Sequence, residues 1–210
     1  MSRNLNSRLQ GLYVITDSQL LSEAQLQASV EAAIFGGARI VQYRDKSNDN
    51  AKRLSQSRGL LKLCHEHDVT FLINDDVLLA TEIGADGVHL GAEDASLDQA
   101  RLELGERAII GISCYNQLDL ANQAQQNGAD YVAFGRFFNS QTKPNAVQAD
   151  VALLTQARQH ITLPIVAIGG ITPQNGEPLV AAGADMLAVI HGVFAEADIQ
   201  TAAQNYKQLF

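Results

Sequence analysis

The sequence predicts an α/β fold, a single (β/α)8 TIM barrel, and three features of the sequence support this prediction. Short apolar runs alternate with longer segments of helical period, as expected for successive βα units around a parallel sheet. The chain has 210 residues, 46% of them apolar, which is enough for a large core within the length that one barrel can occupy. A repeat of two βα units recurs along the chain, with no linker rich in Pro and Ser to divide it.

Eight segments are predicted as strands because they are short and apolar, several of them on both faces. They are Leu12–Thr16, Arg39–Asp45, Thr70–Asp75, Gly87–Gly91, Ala108–Cys114, Asp130–Phe137, Pro164–Ile171 and Met186–Phe194. The segments between them have helical stripes, of which Leu26, Val30, Ala33 and Ile34 form one. Residues 1–10 are expected to be an N-terminal lead-in, and residues 1–210 are expected to form one domain.

Four glycines define the internal repeat. Gly37, Gly84, Gly128 and Gly183 each precede a predicted even-numbered strand, and the last three begin a Gly-Ala-Asp triplet. The steps between them are about 50 residues long, the length of two βα units. A helix that ends in the left-handed conformation favours glycine, so each of these glycines is expected to end a helix.

Composition and charge favour a small-molecule partner. A formal net charge of −8 would repel nucleic acid or an anionic membrane surface, so neither is expected as a partner. The sequence has no apolar run of about 18 residues and no apolar region near its start, so neither a membrane span nor a secretory signal is predicted. Cys64 and Cys114 lack metal-ligand spacing and are interpreted as reduced core residues. These features predict a cytoplasmic protein.

Chemistry in a barrel of this class takes place at the C-terminal ends of the strands and in the loops that follow them. After the second predicted strand, Gln42, Arg44 and Lys46 alternate by two and therefore share one face of an extended segment. Two cations beside an amide suit a diphosphate, because Arg supplies forked donors and Lys a mobile point charge. The alternative interpretation is a solvated strand end with a surface salt bridge.

The loops after the third and fourth strands contain hard oxygen ligands. Asn74, Asp75 and Asp76 follow the third strand, and Asp94 follows the fourth. Mg²⁺ is usually held by one or two carboxylates together with substrate phosphate oxygens and water, so Asp75 and Asp94 form the natural pair. Alternatively, Asp75 or Asp76 caps the next helix. His89, in the fourth strand, can be a ligand or a hydrogen-bonded packing residue.

The remaining candidates lie after strands five to eight. The Ser113 hydroxyl can donate a hydrogen bond to phosphate, or Ser113 can be a turn or helix-capping residue. The polar loop after the sixth strand, which includes Ser140, Thr142 and Lys143, is interpreted as a phosphate-binding lid. Paired glycines at Gly169 and Gly170 allow the backbone N–H groups to approach a phosphate, and Ile190 and His191 begin the last loop.

Taken in order, these motifs resemble the thiamine-phosphate synthase family. They are Gln42-x-Arg44-x-Lys46, Asn74-Asp75, Gly-Ala-Asp-Gly-Val-His-Leu-Gly from Gly84, Thr142-Lys143-Pro144 and Ala-Ile-Gly-Gly-Ile from Ala167. The resemblance extends over nearly the whole chain from Leu12. It implies a TIM barrel, Mg²⁺ as cofactor, and condensation of hydroxymethylpyrimidine diphosphate with a thiazole phosphate or its carboxylated form.

The resemblance also implies roles for individual residues. The diphosphate-binding positions match Gln42, Arg44, Lys46, Asn74, Ser113 and Lys143, of which Arg44, Lys46, Ser113 and Lys143 would act in catalysis. The metal ligands match Asp75 and Asp94. The thiazole-phosphate positions match Ser140, Thr142, Gly170 and the backbone of Ile190 and His191. The chain departs from the family pattern at Asp45, at Asp76, in residues 136–140 and at His191.

The expected mechanism needs no side-chain nucleophile, because the main task is to stabilise a leaving diphosphate. Two alternatives remain: a thiazole tautomerase-like paralogue, which would not need the full diphosphate and metal set, and a non-catalytic sensor of thiamine phosphate. A phosphosugar isomerase or aldolase is disfavoured, because the strands show no catalytic Lys or obvious pair of bases. The thiazole form and a homo-oligomeric state are left open.

Overall fold

A computed structural model describes residues 8–91, 94–139 and 147–210, and these residues form a closed parallel barrel. The eight strands pair in chain order, and β8 pairs with β1 to close the sheet. They are β1 (Gly11–Ile15), β2 (Ala38–Tyr43), β3 (Thr70–Asn74), β4 (Gly87–Leu90), β5 (Ile109–Tyr115), β6 (Tyr131–Gly135), β7 (Ile165–Ile168) and β8 (Met186–Val189). The predicted fold class is confirmed.

Helices alternate with the strands and surround the barrel. They are α1 (Glu23–Phe35), α2 (Asn50–Glu66), α3 (Val77–Ile83), α4 (Leu97–Leu104), α5 (Leu118–Gln126), α6 (Val151–Ala157), α7 (Pro173–Ala181), α8 (His191–Phe194) and α9 (Ile199–Lys207). The predicted stripe of α1 is buried against the sheet. Within the described ranges, no helix is both long and apolar enough to cross a membrane.

The largest correction concerns the eighth strand. It was expected to continue to Phe194, but it ends at Val189, and α8 begins two residues later. Val193 and Phe194 lie in this helix and are buried, so their apolar character reflects packing of the helix and not a continuation of the strand. A short apolar run does not distinguish a strand from a buried helical turn, which explains the error. Several other strands end one to three residues earlier than predicted.

The glycine repeat lies at the N-terminal end of the barrel. All four glycines have positive φ, between 70° and 114°. The aspartates of the three Gly-Ala-Asp triplets accept backbone N–H groups from the preceding strand, as Asp86 does from Phe71. Each of these aspartates also pairs with an arginine, namely Arg8, Arg101 or Arg158. The repeat is therefore structural and lies opposite the end where chemistry is expected.

Buried side chains form one layer between the sheet and the helices and a second layer inside the barrel. Leu9 belongs to the inner layer and is only 1% exposed. The end of the expected lead-in is therefore part of the core, since Leu9 packs inside the barrel instead of fraying. Cys64 and Cys114 are free and buried, as predicted, and burial raises the pKa of both thiols to about 12.

A buried ion pair connects the end of β2 to α2. Lys52 Nζ lies 2.9 Å from Asp45 Oδ2, and the Asp45 side chain is 1% exposed. We expect Lys52→Met to lower the free energy of unfolding by about 3 kcal/mol, because it leaves a buried carboxylate without its cation. Urea denaturation at neutral pH measures this change. Lys62→Met is the matched control, since the Lys62–Glu66 pair is exposed and should contribute less than about 1 kcal/mol.

The same pair predicts a pH dependence. Burial alone would raise the pKa of Asp45, but hydrogen bonds from Lys52 and Ser47 hold this pKa below its ordinary value. A lowered pKa in the folded state means that the stabilisation is complete above the unfolded-state pKa and is lost as the pH falls through the folded-state pKa. The difference between wild type and Lys52→Met should therefore shrink below about pH 4. Equal losses from the Lys52 and Lys62 variants would contradict this interpretation.

Candidate active site

A cavity of about 730 Å³ opens at the C-terminal ends of the strands. Every predicted site residue that the structure describes lines it, namely Gln42, Arg44, Lys46, Asn74, Asp75, Asp94, Ser113, Gly170, Ile190 and His191. Ser140, Thr142 and Lys143 lie outside the described residues. Residues that are far apart in the sequence thus meet in one cavity because parallel strands direct their following loops to the same end of the barrel.

Cations line one side of this cavity. Arg44 is held at its backbone, where its N–H donates to Thr16 Oγ1 at 2.9 Å, and its guanidinium lies 3.3 Å from Asp17 Oδ2. Lys46 Nζ donates to Asp75 Oδ2 at 2.5 Å, and its side chain is 60% exposed. A salt bridge is therefore present, as the alternative interpretation expected, but it forms part of the cavity wall.

Asp75 and Asp94 form an acidic pair beside Lys46. Asp75 has a left-handed backbone with φ of 64°, and its carboxylate accepts from Asn74 Nδ2 at 2.5 Å. Asp94 Oδ2 accepts the Gly91 N–H at 2.6 Å. Asp76 differs from both because it caps α3 through the Leu79 N–H and pairs with Arg53. The capping interpretation therefore holds for Asp76, whereas Asp75 faces the cavity.

The pKa values of the acidic pair are displaced in opposite directions. Burial would raise the pKa of Asp75, but hydrogen bonds with Lys46 and Asp94 hold it below its ordinary value. Burial and the hydrogen bond to Asp75 raise the pKa of Asp94. Among the described residues, no group of three or more His, Cys, Asp or Glu side chains forms a complete metal cage. Two neighbouring carboxylates fit Mg²⁺, which takes few protein ligands and completes its shell with phosphate oxygens and water.

Backbone groups line the opposite side of the cavity. Gly169 and Gly170 have φ of 106° and 62°, and residues 136–139, which follow β6, lie directly against them. A Cβ atom on Gly170 would lie 2.2 Å from the Asn139 carbonyl oxygen, and one on Gly169 would lie 2.3 Å from Arg136 Cβ. Both glycines are therefore needed for the approach of this loop as well as for their backbone angles.

Ser113 and His89 lie on the inner face of the barrel, below the cations. His89 Nε2 and Ser113 Oγ are 2.9 Å apart, and His89 Nδ1 is 2.9 Å from the Tyr131 hydroxyl. Ser113 is within β5, so it is neither a turn residue nor a helix cap. His89 is a hydrogen-bonded packing residue at the base of the cavity, as one of the two interpretations predicted.

Sequence reasoning missed several residues that line the cavity. Tyr13 lies within the apolar run of β1, and Tyr115, at the end of β5, has a left-handed backbone with φ of 53°. Arg136 donates to Asn139 Oδ1 at 2.9 Å and thereby orders the start of the loop after β6. Periodicity did not single out either tyrosine. Arg136 was recognised only as part of a polar loop.

The chemistry of the two sides differs. One side offers cations and an acidic pair, which suit a diphosphate with a divalent cation. The other offers backbone N–H groups around paired glycines, which suit a phosphate ester. Apolar side chains, including Ile15, Val166 and Ile168, line the space between them. The cavity therefore offers two regions suited to phosphate groups, with an apolar surface between them.

Known proteins are similar to this chain over nearly all of its length. The family model for thiamine monophosphate synthase matches residues 12–193. A thiamine-phosphate synthase of Nitrosococcus oceani is 52% identical over 206 residues, which cover 98% of this chain and 95% of that protein. One of Marinobacter nauticus is 53% identical over 202 residues, which cover 95% and 90%.

A solved structure is also similar over nearly its whole length. Thiamine phosphate pyrophosphorylase from Pyrococcus furiosus superposes with a TM-score of 0.88 at 34% identity, covering 98% of this chain and 97% of that one. The sequence matches extend over all eight strands and both sides of the cavity. The chain belongs to the thiamine monophosphate synthase family.

Proposed function

We propose that the chain joins hydroxymethylpyrimidine diphosphate to a thiazole phosphate, or to its carboxylated form, and releases thiamine phosphate and pyrophosphate. The carboxylated form would also lose its carboxylate as CO₂ and take a proton in its place. The observation that carries this proposal is the two-sided cavity, in which Arg44, Lys46 and the acidic pair face the Gly169–Gly170 backbone. A diphosphate on the first side and a phosphate ester on the second would bring the two rings together. Membership of the family supports the same reaction.

The proposed reaction breaks one bond and forms another. The C–O bond between the pyrimidine methylene and the diphosphate breaks, and the oxygen keeps the electron pair. The thiazole nitrogen then gives its lone pair to the methylene carbon. No side chain becomes covalently attached, so the protein contributes by placing charge around the leaving group and by aligning the two rings.

Each side chain has a separate task in this proposal. Arg44 and Lys46 donate to diphosphate oxygens, while Gln42, Asn74 and Ser113 supply neutral donors around them. Asp75 and Asp94 would hold Mg²⁺, which neutralises part of the charge on the diphosphate when it is bound. Ser140, Thr142 and Lys143 remain predictions from the sequence. Lys143 would add a third cation, and the two hydroxyls would serve the thiazole phosphate.

The reaction can be tested with purified protein, both substrates and Mg²⁺. We expect thiamine phosphate and pyrophosphate to appear in equal amounts, and neither to form when one substrate is omitted. Binding of thiamine phosphate without turnover would favour a sensor. Isomerisation of the thiazole without use of the pyrimidine diphosphate would favour a tautomerase-like paralogue. Either result would overturn the proposal.

A comparison of Gly170→Ala with His191→Ala tests how the thiazole phosphate is bound. The added methyl group would meet the Asn139 carbonyl, so the loop and the neighbouring backbone N–H groups must move. We expect the KM for the thiazole phosphate to rise roughly tenfold, equivalent to about 1.4 kcal/mol. The KM for the pyrimidine diphosphate should change less than about twofold. Steady-state kinetics with each substrate varied in turn measures both values.

The His191→Ala variant supplies the control for this comparison. If backbone groups hold the phosphate, loss of the imidazole should change either KM less than about threefold, which corresponds to less than about 1 kcal/mol. Circular dichroism shows whether both variants fold. A larger defect from His191→Ala than from Gly170→Ala would contradict backbone recognition and would make the imidazole a direct contact.

A further inference from the structure

A chain of hydrogen bonds crosses the inside of the barrel beneath the cavity. Gln42 Nε2 donates to the Tyr13 hydroxyl at 2.6 Å, and the Tyr13 and Tyr131 hydroxyls are 3.0 Å apart. The Tyr131 hydroxyl lies 2.9 Å from His89 Nδ1, and His89 Nε2 lies 2.9 Å from Ser113 Oγ. The chain therefore joins side chains from β1, β2, β4, β5 and β6. Both of its ends, Gln42 and Ser113, line the cavity.

Packing leaves the middle of this chain little freedom. Tyr13 and Tyr131 are 1% and 0% exposed, and their rings meet edge to face with centroids 6.2 Å apart. His89 stacks on Tyr131 with an interplanar angle of 20°. A Cβ atom on Gly111 would lie 1.9 Å from the Tyr131 ring, so the absence of a side chain there allows the ring to extend across the barrel.

The direction of the chain is determined at Gln42. Its amide nitrogen can only donate, so the Tyr13 oxygen is an acceptor. Tyr13 then has one proton to place, and Tyr131 is its remaining hydroxyl partner among the described residues. A buried hydroxyl proton without an acceptor is unfavourable, so Tyr13 donates to Tyr131. By the same reasoning, Tyr131 donates to His89 Nδ1.

His89 transmits this direction to Ser113. When Nδ1 accepts a hydrogen bond, the proton of the neutral imidazole is on Nε2, which then donates to Ser113 Oγ. The Ser113 oxygen is thus an acceptor toward the base of the barrel. Its own proton finds no acceptor among the residues that the structure describes, and Ser113 lines the cavity. The hydroxyl proton therefore points into the cavity.

We propose that Tyr13, Tyr131 and His89 are positioning residues that orient the Ser113 hydroxyl as a donor into the cavity. Its acceptor would be an oxygen or nitrogen of the pyrimidine diphosphate, so this inference rests on the proposed function. The chain ends at an amide, which does not exchange its proton easily with the hydroxyls. It therefore fixes orientation and does not transfer protons, and neither the breaking of the C–O bond nor the formation of the C–N bond needs a proton from it.

A double-mutant cycle tests this coupling. Tyr131→Phe keeps the ring and removes the hydroxyl, which allows His89 to place its proton on Nδ1 and to accept the Ser113 proton at Nε2. We expect Tyr131→Phe and Ser113→Ala each to lower kcat about tenfold, and the double variant to be no slower than Ser113→Ala alone. The KM for the thiazole phosphate should stay within about twofold in all three variants. Multiplicative losses would overturn the proposal.

Tyr43→Phe is the matched control for loss of a buried hydroxyl. Tyr43 is 2% exposed, and its hydroxyl donates to Gln56 of α2 outside the barrel. We expect the kcat of Tyr43→Phe to stay within about twofold of wild type. When it is combined with Ser113→Ala, the fold-losses in kcat of the two single variants should multiply. If wild type forms no thiamine phosphate, the proposed function itself has failed. If wild type is active but the cycle shows no coupling, only the positioning role has failed.

The direction of the hydrogen bonds can also be measured in the wild-type protein, so this test does not depend on whether a variant folds. The ¹⁵N chemical shifts of the His89 ring distinguish a nitrogen that bears a proton from one that accepts a hydrogen bond. We expect Nε2 to bear the proton and Nδ1 to be the acceptor in the wild-type protein at neutral pH. The opposite tautomer would overturn the proposed direction. Tyr13→Phe provides a second break in the chain and should reproduce the kinetic result of Tyr131→Phe.

Discussion

Asp75→Asn is expected to lower kcat on the order of 100-fold, and Asp94→Asn is expected to do the same. Each change removes one of the two carboxylates that we propose as ligands for Mg²⁺, while the side chain keeps its shape. Asp75 also accepts from Lys46, so its loss removes a contact that positions this cation. Steady-state kinetics over a range of Mg²⁺ concentrations should show that both variants need more metal than wild type.

Asp76→Asn is the matched control for the acidic pair. Asp76 is adjacent to Asp75 but caps α3 and pairs with Arg53, and Asn is also a good helix cap. We expect its kcat to stay within about twofold of wild type. Near-normal turnover by Asp75→Asn at limiting Mg²⁺, or an equal defect in Asp76→Asn, would remove Asp75 from the proposed metal site.

Lys46→Met is the second change with a large expected effect, again a fall in kcat on the order of 100-fold. The ammonium group is removed from the cavity wall, where it would neutralise the leaving diphosphate. The side chain is 60% exposed, so the melting temperature should change little. Kinetics and thermal unfolding of the same preparation measure both quantities.

Arg58→Met is the control, because it removes a cation whose exposure is similar to that of Lys46. Arg58 is 57% exposed and pairs with Glu82 on the outside of the barrel. We expect neither its kcat nor its melting temperature to change appreciably. A large fall in melting temperature for Lys46→Met would indicate a structural role, and unchanged turnover would exclude Lys46 from diphosphate binding.

The fold was predictable because local patterns and the barrel architecture agree. Alternating apolar and amphipathic segments predicted eight strands, and the positive φ of Gly37, Gly84, Gly128 and Gly183 confirms that these residues end helices. The end of β8 was not predictable from this pattern. Ile190, Val193 and Phe194 extend the apolar pattern of β8 past His191 and Gly192, and only tertiary packing decides that α8 begins there.

The site was predictable to the extent that it lies where strands end. Gln42, Arg44, Asn74 and Ser113 could be placed near the cavity because loops after parallel strands meet at one end of the barrel. The chain of hydrogen bonds through Tyr13 and Tyr131 was not predictable. An apolar strand has the same sequence pattern whether its aromatic residue faces the helices or the barrel interior. The orientation of its hydroxyl depends on contacts between strands that are distant in sequence.

The positions at which the diphosphate and its metal bind are the most direct test of the proposed function. Anomalous diffraction from crystals soaked with Mn²⁺ and pyrophosphate locates both directly, since Mn²⁺ occupies Mg²⁺ sites and scatters anomalously. We predict a metal peak between the carboxylates of Asp75 and Asp94, with the diphosphate against Arg44 and Lys46. Pyrophosphate bound instead at the Gly169–Gly170 backbone, with no metal peak between the two carboxylates, would contradict the account.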